Sequence, residues 1–180
     1  MSSAGAGGLP AVTLVLGGAR SGKSGYAEML VAGASASAVY VATAEAGDAE
    51  MAGRIAAHRA GRSESWRTIE VPLDLASAIA EHASPGQPIL VDCLTLWLSN
   101  LMGAGRIVEH ESEMLCAALR DASGPVVLVA NEVGLGLVPD SELGRAFRDA
   151  AGHLNQAVAA IADRVVFVAA GLPLVLKGAA

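Results

Sequence analysis

Eight consecutive residues near the start of the chain have the types and spacing of a phosphate-binding loop: Gly17, Gly18, Ala19, Arg20, Ser21, Gly22, Lys23 and Ser24. They fit the pattern G-x-x-x-x-G-K-[ST], whose glycines let successive backbone N–H groups point at phosphate oxygens. In this pattern the lysine reaches the β- and γ-phosphates, and the final hydroxyl is a ligand for Mg²⁺. The sequence therefore predicts phosphate chemistry at this loop.

The segments on either side of the loop are those that the pattern requires. Residues 11–16 (A-V-T-L-V-L) form a short, apolar, β-branched run that is typical of a buried strand. Residues 26–31 have helical spacing, which predicts that Tyr26, Met29 and Leu30 share one face. A glycine-rich turn without a ligand is the alternative. Because strand, loop and helix follow one another, we expect a site for a nucleoside triphosphate.

Two acidic residues lie at the end of an apolar run or shortly after one, further along the chain. Asp92 ends the run Ile89–Val91, and in phosphate-loop enzymes an acid at this place holds Mg²⁺. The alternative is that it caps the next helix. Glu132 follows the run 125–130 and is a candidate general base, with stabilisation of a turn as the alternative.

A third predicted contact follows the second apolar run, residues 38–42. In open parallel sheets ligands bind beyond the carboxyl ends of the strands, so Thr43, Ala44 and Glu45 are placed to meet a nucleotide. The alternative is an ordinary loop between a strand and a helix.

A basic stripe surrounds one histidine. Residues 50–62 are predicted to be helical, which puts Arg54, His58 and Arg62 on one face at i, i+4 and i+8. Neighbouring guanidinium groups favour the neutral imidazole, and a neutral imidazole is a nucleophile toward a phosphoryl group that those guanidiniums hold. A solvated basic face is the alternative, and the local sequence leaves the choice open.

Composition restricts the class of protein. The chain has 180 residues, 53% of them hydrophobic, and a formal net charge of −6, which argues against a non-specific nucleic-acid binder. No apolar run has the length of a membrane span, and the start lacks a basic region, so we expect a cytoplasmic protein without stable membrane insertion. Cys93 and Cys116 are predicted to be buried free thiols. We expect residues 1–10 to form a tail and residues 11–180 to form one catalytic domain.

Five apolar runs separated by helical segments predict a sheet of parallel strands that is buried on both faces. The expected fold class is a three-layer α/β fold with a mostly parallel central sheet and a phosphate loop. Residues 172–177 contain Pro173 and are predicted to add an edge strand. The helical run Leu94, Trp97, Leu98 and Leu101 is predicted to be core or subunit contact.

Several of these stretches, in this order, resemble one family. They are G-G-A-R-S-G-K-S, V-A-T-A-E, R-I-x-x-H-R-x-x-R, W-R-T-I-E, V-x-N-E-V-G-x-G-x-V-P, F-R-D-x-x-G-x-x-N-Q and G-L-P-x-x-L-K. They resemble the bifunctional adenosylcobinamide kinase/adenosylcobinamide-phosphate guanylyltransferase of cobalamin biosynthesis. The resemblance runs from about Leu14 to Lys177.

The resemblance implies a RecA-like phosphate-loop (P-loop NTPase) fold and two reactions. ATP or GTP phosphorylates the aminopropanol hydroxyl of adenosylcobinamide, and GTP then donates GMP to that phosphate, which releases pyrophosphate. By similarity His58 carries the GMP, and a homo-oligomer, a trimer, is expected. Mg²⁺ is the expected cofactor, held by Ser24 and Asp92. The implied nucleotide contacts, besides the loop, are Thr43, Ala44, Glu45, Arg59, Ala60, Gly61, Arg62, Glu70 and Asp92.

Three other functions compete with this one. A kinase for another small metabolite would use the same loop for transfer of the γ-phosphate alone, with His58 as a phosphate contact. A regulatory GTP switch would hydrolyse slowly and carry no covalent nucleotide. A RecA-like nucleic-acid motor is disfavoured by the acidic charge and the scarcity of aromatic residues for base stacking.

Overall fold

The computed structural model describes residues 8–44 and 66–179. The first seven residues of the predicted tail and the whole predicted helix 50–62 lie outside the described residues. The strands are β1 (Val12–Gly17), β2 (Ala38–Ala42), β3 (Trp66–Glu70), β4 (Ile89–Asp92), β5 (Val126–Asn131), β6 (Arg164–Ala169) and β7 (Leu172–Lys177). The helices are α1 (Lys23–Ala34), α2 (Leu75–His82), α3 (Leu94–Gly103), α4 (Val108–Asp121) and α5 (Glu142–Ile161).

The seven strands form one sheet in the order β3-β2-β4-β5-β1-β6-β7. All neighbouring pairs are parallel except β6 and β7, which are antiparallel. The predicted mostly parallel sheet is confirmed, and β7 with its Pro173 lies at the edge, where a missing N–H is tolerated. Strand β5 separates β1 from β4, so the phosphate loop and Asp92 extend from strands that are not direct neighbours.

Side chains alternate between the two faces of the sheet, and each face has its own core. One core contains Leu14, Val91 and Leu128 together with apolar side chains of α2, α3, α4 and α5. The other contains Val15, Leu90 and Val129 together with Ala27 and Val31 of α1. The described residues therefore form three layers, with α1 on one face of the sheet and α2 to α5 on the other.

The longest helix, α5, has defined ends. Ser141 is its N-cap, and the hydroxyl oxygen accepts a hydrogen bond of 3.1 Å from the backbone N–H of Gly144. At the other end the ammonium group of Lys177, in β7, donates to the carbonyl oxygens of Ala159 and Ala160 at 2.9 Å each. A cation on these carbonyls complements the negative end of the helix dipole and fastens the edge strand to α5.

The apolar faces predicted for α1 and α3 differ in burial. Tyr26 and Leu30 of α1 pack, partly buried, against the core beside the buried Ala27 and Val31, whereas Met29 is 59% exposed. The prediction that the apolar residues of α3 are core is confirmed, because Leu94, Trp97, Leu98 and Leu101 are all 0% exposed.

Candidate active site

The phosphate loop joins β1 to α1 in the conformation that anion binding requires. A turn is closed by a hydrogen bond of 3.3 Å from the N–H of Ser21 to the carbonyl oxygen of Gly18. Gly22 is the N-cap of α1 and has φ of 94°, in the left-handed region that a residue with a Cβ adopts at a cost. The first backbone N–H groups of α1, which have no partner inside the helix, therefore begin directly at this loop.

Close packing dictates the glycine at the end of β1. A Cβ on Gly17 would lie 2.5 Å from the Oγ of Ser21 and 2.5 Å from the carbonyl oxygen of Val168. The turn between β6 and β7 also contacts this loop, since the N–H of Gly171 donates to the carbonyl oxygen of Ser21 at 2.8 Å. The loop is thus held from two strands, β1 and β6, before any ligand arrives.

Lys23 is placed over the loop. Its residue is 8% exposed, and its ammonium group donates to the carbonyl oxygen of Gly18 at 3.1 Å. A buried ammonium needs hydrogen-bond acceptors, and phosphate oxygens are stronger acceptors than a neutral carbonyl. The side chain can therefore exchange its bond to Gly18 for a bond to a triphosphate.

The sheet register places Asp92 and Glu70 in one row with Ala42. Ala42 pairs with Glu70 on β3 and with Asp92 on β4. In-register residues of a parallel sheet point to the same face, so the two acidic side chains share the face that α1 covers. Two strand spacings put their Cα atoms about 10 Å apart.

Asp92 is half-buried and interacts with β2. Its Oδ2 accepts a hydrogen bond of 2.8 Å from the phenol of Tyr40. The N-cap of α3 is Cys93, and no side-chain hydrogen bond caps that helix. The alternative role of Asp92, capping α3, is therefore not what the structure shows.

Thr43 uses its polar groups within the protein. Its hydroxyl donates to the carbonyl oxygen of Cys93 at 2.7 Å and accepts from the N–H of Cys93 at 2.8 Å. Its own N–H donates to the carbonyl oxygen of Asp92 at 3.3 Å. The residue is fully buried. Thr43 therefore joins the end of β2 to the end of β4, and the predicted nucleotide contact of its hydroxyl stays a prediction.

Helix α3 fastens the carboxyl ends of the strands to one another. The Asn100 amide donates to the carbonyl oxygens of Thr43 and Pro72 at 2.8 and 3.0 Å, which links the chain after β2 to the chain after β3. The indole N–H of Trp97 donates to the carbonyl oxygen of Leu73 at 2.6 Å. The Thr95 hydroxyl accepts from the N–H of Asn131, the last residue of β5, at 2.7 Å.

Glu132 holds a turn in the structure. Its Oε1 accepts a hydrogen bond of 2.6 Å from the N–H of Gly134. Its own N–H donates to the carbonyl oxygen of Gly17 at 3.0 Å, so the residue lies beside the start of the phosphate loop. The turn-stabilising role is therefore observed, and the role of general base stays a prediction.

The thiol next to Asp92 is inert. Burial and, after it, the negative charge of Asp92 raise the pKa of Cys93 to about 11, although backbone hydrogen bonds from Leu96 and Thr95 and the positive charge of Lys23 act in the opposite direction. Cys93 and Cys116 are both buried free thiols, as predicted. Because the charges of Asp92 and Lys23 both affect the pKa of Cys93, both side chains are close to this thiol.

The remaining predicted contacts belong to the stretch between residues 44 and 66. Glu45, His58, Arg59, Ala60, Gly61 and Arg62 lie outside the described residues. Sequence reasoning missed four residues that organise the site: Tyr40, Thr95, Asn100 and Gly171. The sequence did contain a signal for Gly171, because this residue begins the family stretch G-L-P-x-x-L-K. The three polar residues act across strands, and no local pattern marks such a contact.

The donors at this edge suit a hard cation. Ser24 supplies a hydroxyl at the start of α1 and Asp92 supplies a carboxylate on the same face of the sheet, and oxygen ligands are those that Mg²⁺ prefers. A Mg²⁺ bound with a triphosphate also takes phosphate and water oxygens, so two protein ligands are sufficient.

Fold and loop together define a phosphate-loop nucleotide-binding protein with a RecA-like three-layer α/β fold. An ATPase from the type III secretion system of pathogenic bacteria has the same fold, with a TM-score of 0.55 at 12% sequence identity over 91% of this chain and 56% of that one. At this identity the likeness concerns the fold alone, and it confirms the predicted fold class.

A family model described as cobinamide kinase / cobinamide phosphate guanyltransferase matches residues 13–176. The bifunctional adenosylcobalamin biosynthesis protein CobP of Pseudomonas aeruginosa is 51% identical over 167 residues, which cover 92% of this chain and 96% of that protein. The bifunctional adenosylcobalamin biosynthesis protein CobU of Escherichia coli is 41% identical over 179 residues, 91% of this chain and 98% of that protein. The chain belongs to the cobinamide kinase/cobinamide phosphate guanyltransferase family, as the sequence motifs predicted.

Across the described ranges 8–44 and 66–179, no helix combines the length and apolar character needed to cross a bilayer.

Proposed function

We propose that this chain catalyses two successive reactions of adenosylcobalamin biosynthesis. It phosphorylates the aminopropanol hydroxyl of adenosylcobinamide with ATP or GTP, and it then transfers GMP from GTP to the new phosphate. The products of the second reaction are adenosylcobinamide-GDP and pyrophosphate. The observation that carries the proposal is the preformed phosphate loop, residues 17–24, inside a chain that matches the family over residues 13–176.

In the kinase step the substrate hydroxyl oxygen attacks the γ-phosphorus, and the bond from that phosphorus to the β,γ-bridging oxygen breaks. Lys23 and the N-terminal N–H groups of α1 stabilise the charge on the phosphate oxygens. Ser24 and Asp92 would hold Mg²⁺, which when bound neutralises charge on the β- and γ-phosphates. Glu132 is the proposed acceptor of the hydroxyl proton, and its position beside Gly17 supports that assignment.

In the second step a ring nitrogen of His58 attacks the α-phosphorus of GTP, and the bond to the α,β-bridging oxygen breaks. Pyrophosphate leaves, and Lys23 stabilises its charge. A phosphate oxygen of adenosylcobinamide phosphate then attacks the GMP phosphorus, the P–N bond breaks, and neutral His58 is restored. The matching family motif around His58 supports this role.

The other proposed nucleotide contacts surround the row of strand ends. Glu70 ends β3 and pairs with Ala42, which also pairs with Asp92, and Ala44 lies two residues beyond Ala42; these positions support the assignment of both residues. The further proposed contacts are Thr43, Glu45, Arg59, Ala60, Gly61 and Arg62. Because the Thr43 hydroxyl is bonded to the backbone of Cys93, Thr43 would act on the nucleotide site by holding the ends of β2 and β4 together.

We also propose that the protein works in the cytoplasm as a homotrimer, which rests on the family resemblance. Light scattering after size exclusion is expected to give three times the 18.0 kDa of the chain. A mass of 18.0 kDa that does not change with protein concentration would contradict the trimer.

Covalent labelling tests the proposed function. The purified protein is incubated with Mg²⁺ and with either α-labelled or γ-labelled GTP, then denatured and counted. We expect label from the α position alone, lost in acid and stable in base, as a phosphoramidate requires. Absence of label from both positions would favour a simple small-molecule kinase or a GTP switch.

The two lysines of the chain provide a matched pair for the same experiment. Lys23→Ala is expected to lower labelling and phosphorylation about 100-fold, the effect of removing one donor that stabilises transition-state charge. Lys177→Ala removes an ammonium from the end of α5 and should leave both activities close to the wild-type values, provided that it is assayed below its melting temperature. Equal effects of the two substitutions would contradict the role of Lys23.

A further inference from the structure

Tyr40 is a buried residue whose phenol contacts the carboxylate of the proposed magnesium ligand, Asp92. It is 4% exposed, and its phenol donates to Asp92 Oδ2 at 2.8 Å. A buried hydroxyl without a hydrogen-bond partner is destabilising, so the phenol and the carboxylate constrain each other.

The ring of Tyr40 is held by its neighbours. It meets the indole of Trp66 edge to face, with the ring centroids 6.1 Å apart and an angle of 75° between the planes. Its backbone pairs with Thr68 on β3 and with Leu90 on β4. The donor therefore lies on an internal strand that is paired on both sides, and its ring packs against a second aromatic ring, so it is a rigid support for a functional carboxylate.

A neutral hydrogen-bond donor such as a phenol orients a carboxylate without neutralising its charge. The phenol fixes the orientation of the carboxylate through one oxygen and, unlike an arginine, brings no positive charge that would compete with a cation. Partners of this kind, one shell behind the ligand, set the geometry and the affinity of metal sites. Deleting the hydroxyl removes this constraint while the ring and its packing remain.

We infer that Tyr40 is a positioning residue that orients Asp92 and thereby sets the affinity of the nucleotide site for Mg²⁺. The inference rests on the proposed function, because it takes Asp92 as a magnesium ligand. It assigns to Tyr40 no contact with the nucleotide.

Calorimetry of nucleotide binding separates this role from a general structural one. The probe is the α,β-methylene analogue of GTP, which cannot donate GMP to His58, titrated into the full chain without a corrinoid acceptor in the presence of Mg²⁺ and again in EDTA. The ratio of the two Kd values measures the coupling between Mg²⁺ and the nucleotide. For Tyr40→Phe we expect this ratio to fall about tenfold, with the Kd in EDTA within twofold of wild type.

A kinetic measurement should agree. The Mg²⁺ concentration that gives half-maximal phosphorylation is expected to rise about tenfold in Tyr40→Phe, while kcat at saturating Mg²⁺ stays within about twofold. Tyr26→Phe is the matched control, since it deletes the hydroxyl of the other tyrosine in the chain. It is expected to match wild type in both measurements.

Three results would overturn the inference, and they differ in what they say about the proposed function. If Asp92→Asn abolishes the Mg²⁺ coupling but Tyr40→Phe retains it, Tyr40 does not position the ligand, while the magnesium site stands. If Asp92→Asn also retains the coupling, Asp92 is not a magnesium ligand, and the proposed site fails with the inference. Equal weakening of binding with and without Mg²⁺ in Tyr40→Phe would show a general packing role and would overturn it too.

Discussion

Individual side chains at the carboxyl edge of the sheet divide into two kinds. Lys23 has a weak protein acceptor, the carbonyl oxygen of Gly18, which a phosphate can replace. Thr43 and Asn100 have their hydrogen-bonding groups engaged with backbone and hold strand ends together. Lys23 is therefore available to bind a phosphate, whereas Thr43 and Asn100 fix the backbone that positions the site.

His58 is the residue on which the two proposed activities separate. His58→Ala is expected to abolish GMP transfer and α-labelling while phosphorylation keeps at least about a tenth of the wild-type rate, because the hydroxyl attack does not need the imidazole nitrogen. The two activities are measured separately, with adenosylcobinamide and with its phosphate as acceptors.

The control for that substitution is His153→Ala, an exposed histidine of α5. It should leave both activities unchanged. GMP transfer retained by purified His58→Ala would remove His58 from the mechanism.

The first two glycines of the loop between β1 and α1 have different surroundings. Gly17 faces the Oγ of Ser21 and the carbonyl oxygen of Val168, whereas a Cβ on Gly18 would have no heavy atom within 4 Å. The pattern G-x-x-x-x-G-K-[ST] treats both positions as loop residues. Only the first of them carries a packing constraint between β1 and β6.

That contrast gives a prediction for the loop. Gly17→Ala is expected to lower the free energy of unfolding by about 3 kcal/mol, the upper range for inserting an atom into a packed site. Gly18→Ala is expected to change it by less than about 1 kcal/mol. Urea denaturation followed by far-ultraviolet circular dichroism measures both. Equal destabilisation of the two variants would contradict the close approach at Gly17.

The molecule as a whole is built from two cores on opposite faces of a single sheet, and the candidate site lies on the α1 side. Cys93 belongs to the core on that side, directly beside Asp92. The stability of the whole fold therefore depends on keeping this thiol uncharged.

The thiol predicts how stability changes with pH. The folded pKa of Cys93 is about 11, above the ordinary value of 9.0, so the unfolded chain loses this proton first as the pH rises. Stability should fall as the pH rises from 9 to 11, by up to about 3 kcal/mol from this group. Denaturation at several pH values, under reducing conditions, should show a steeper decline for wild type than for Cys93→Ala. Parallel curves would contradict the shift.

Much of the architecture could be predicted from contiguous residues. The apolar runs predicted the strands, and the edge strand that contains Pro173 has the predicted bounds, Leu172–Lys177. These features depend on a few neighbouring side chains, so local pattern is sufficient. The spacing in α1 predicted a shared face for Tyr26, Met29 and Leu30, but it did not predict how deeply each residue is buried. Tyr26 and Leu30 pack against the core beside Ala27 and Val31, whereas Met29 is 59% exposed.

The amino-acid sequence alone determined the phosphate loop, the parallel strands and the family, since each is encoded in residues close together along the chain. Only the tertiary structure decided that Tyr40 donates to Asp92, 52 residues away, and that hydrogen bonds of α3 hold the ends of three other strands, β2, β3 and β5. Strand order and register bring these groups together, and both result from packing over the whole sheet. A motif can name the residues of a site, but the contacts that orient them depend on which strands become neighbours.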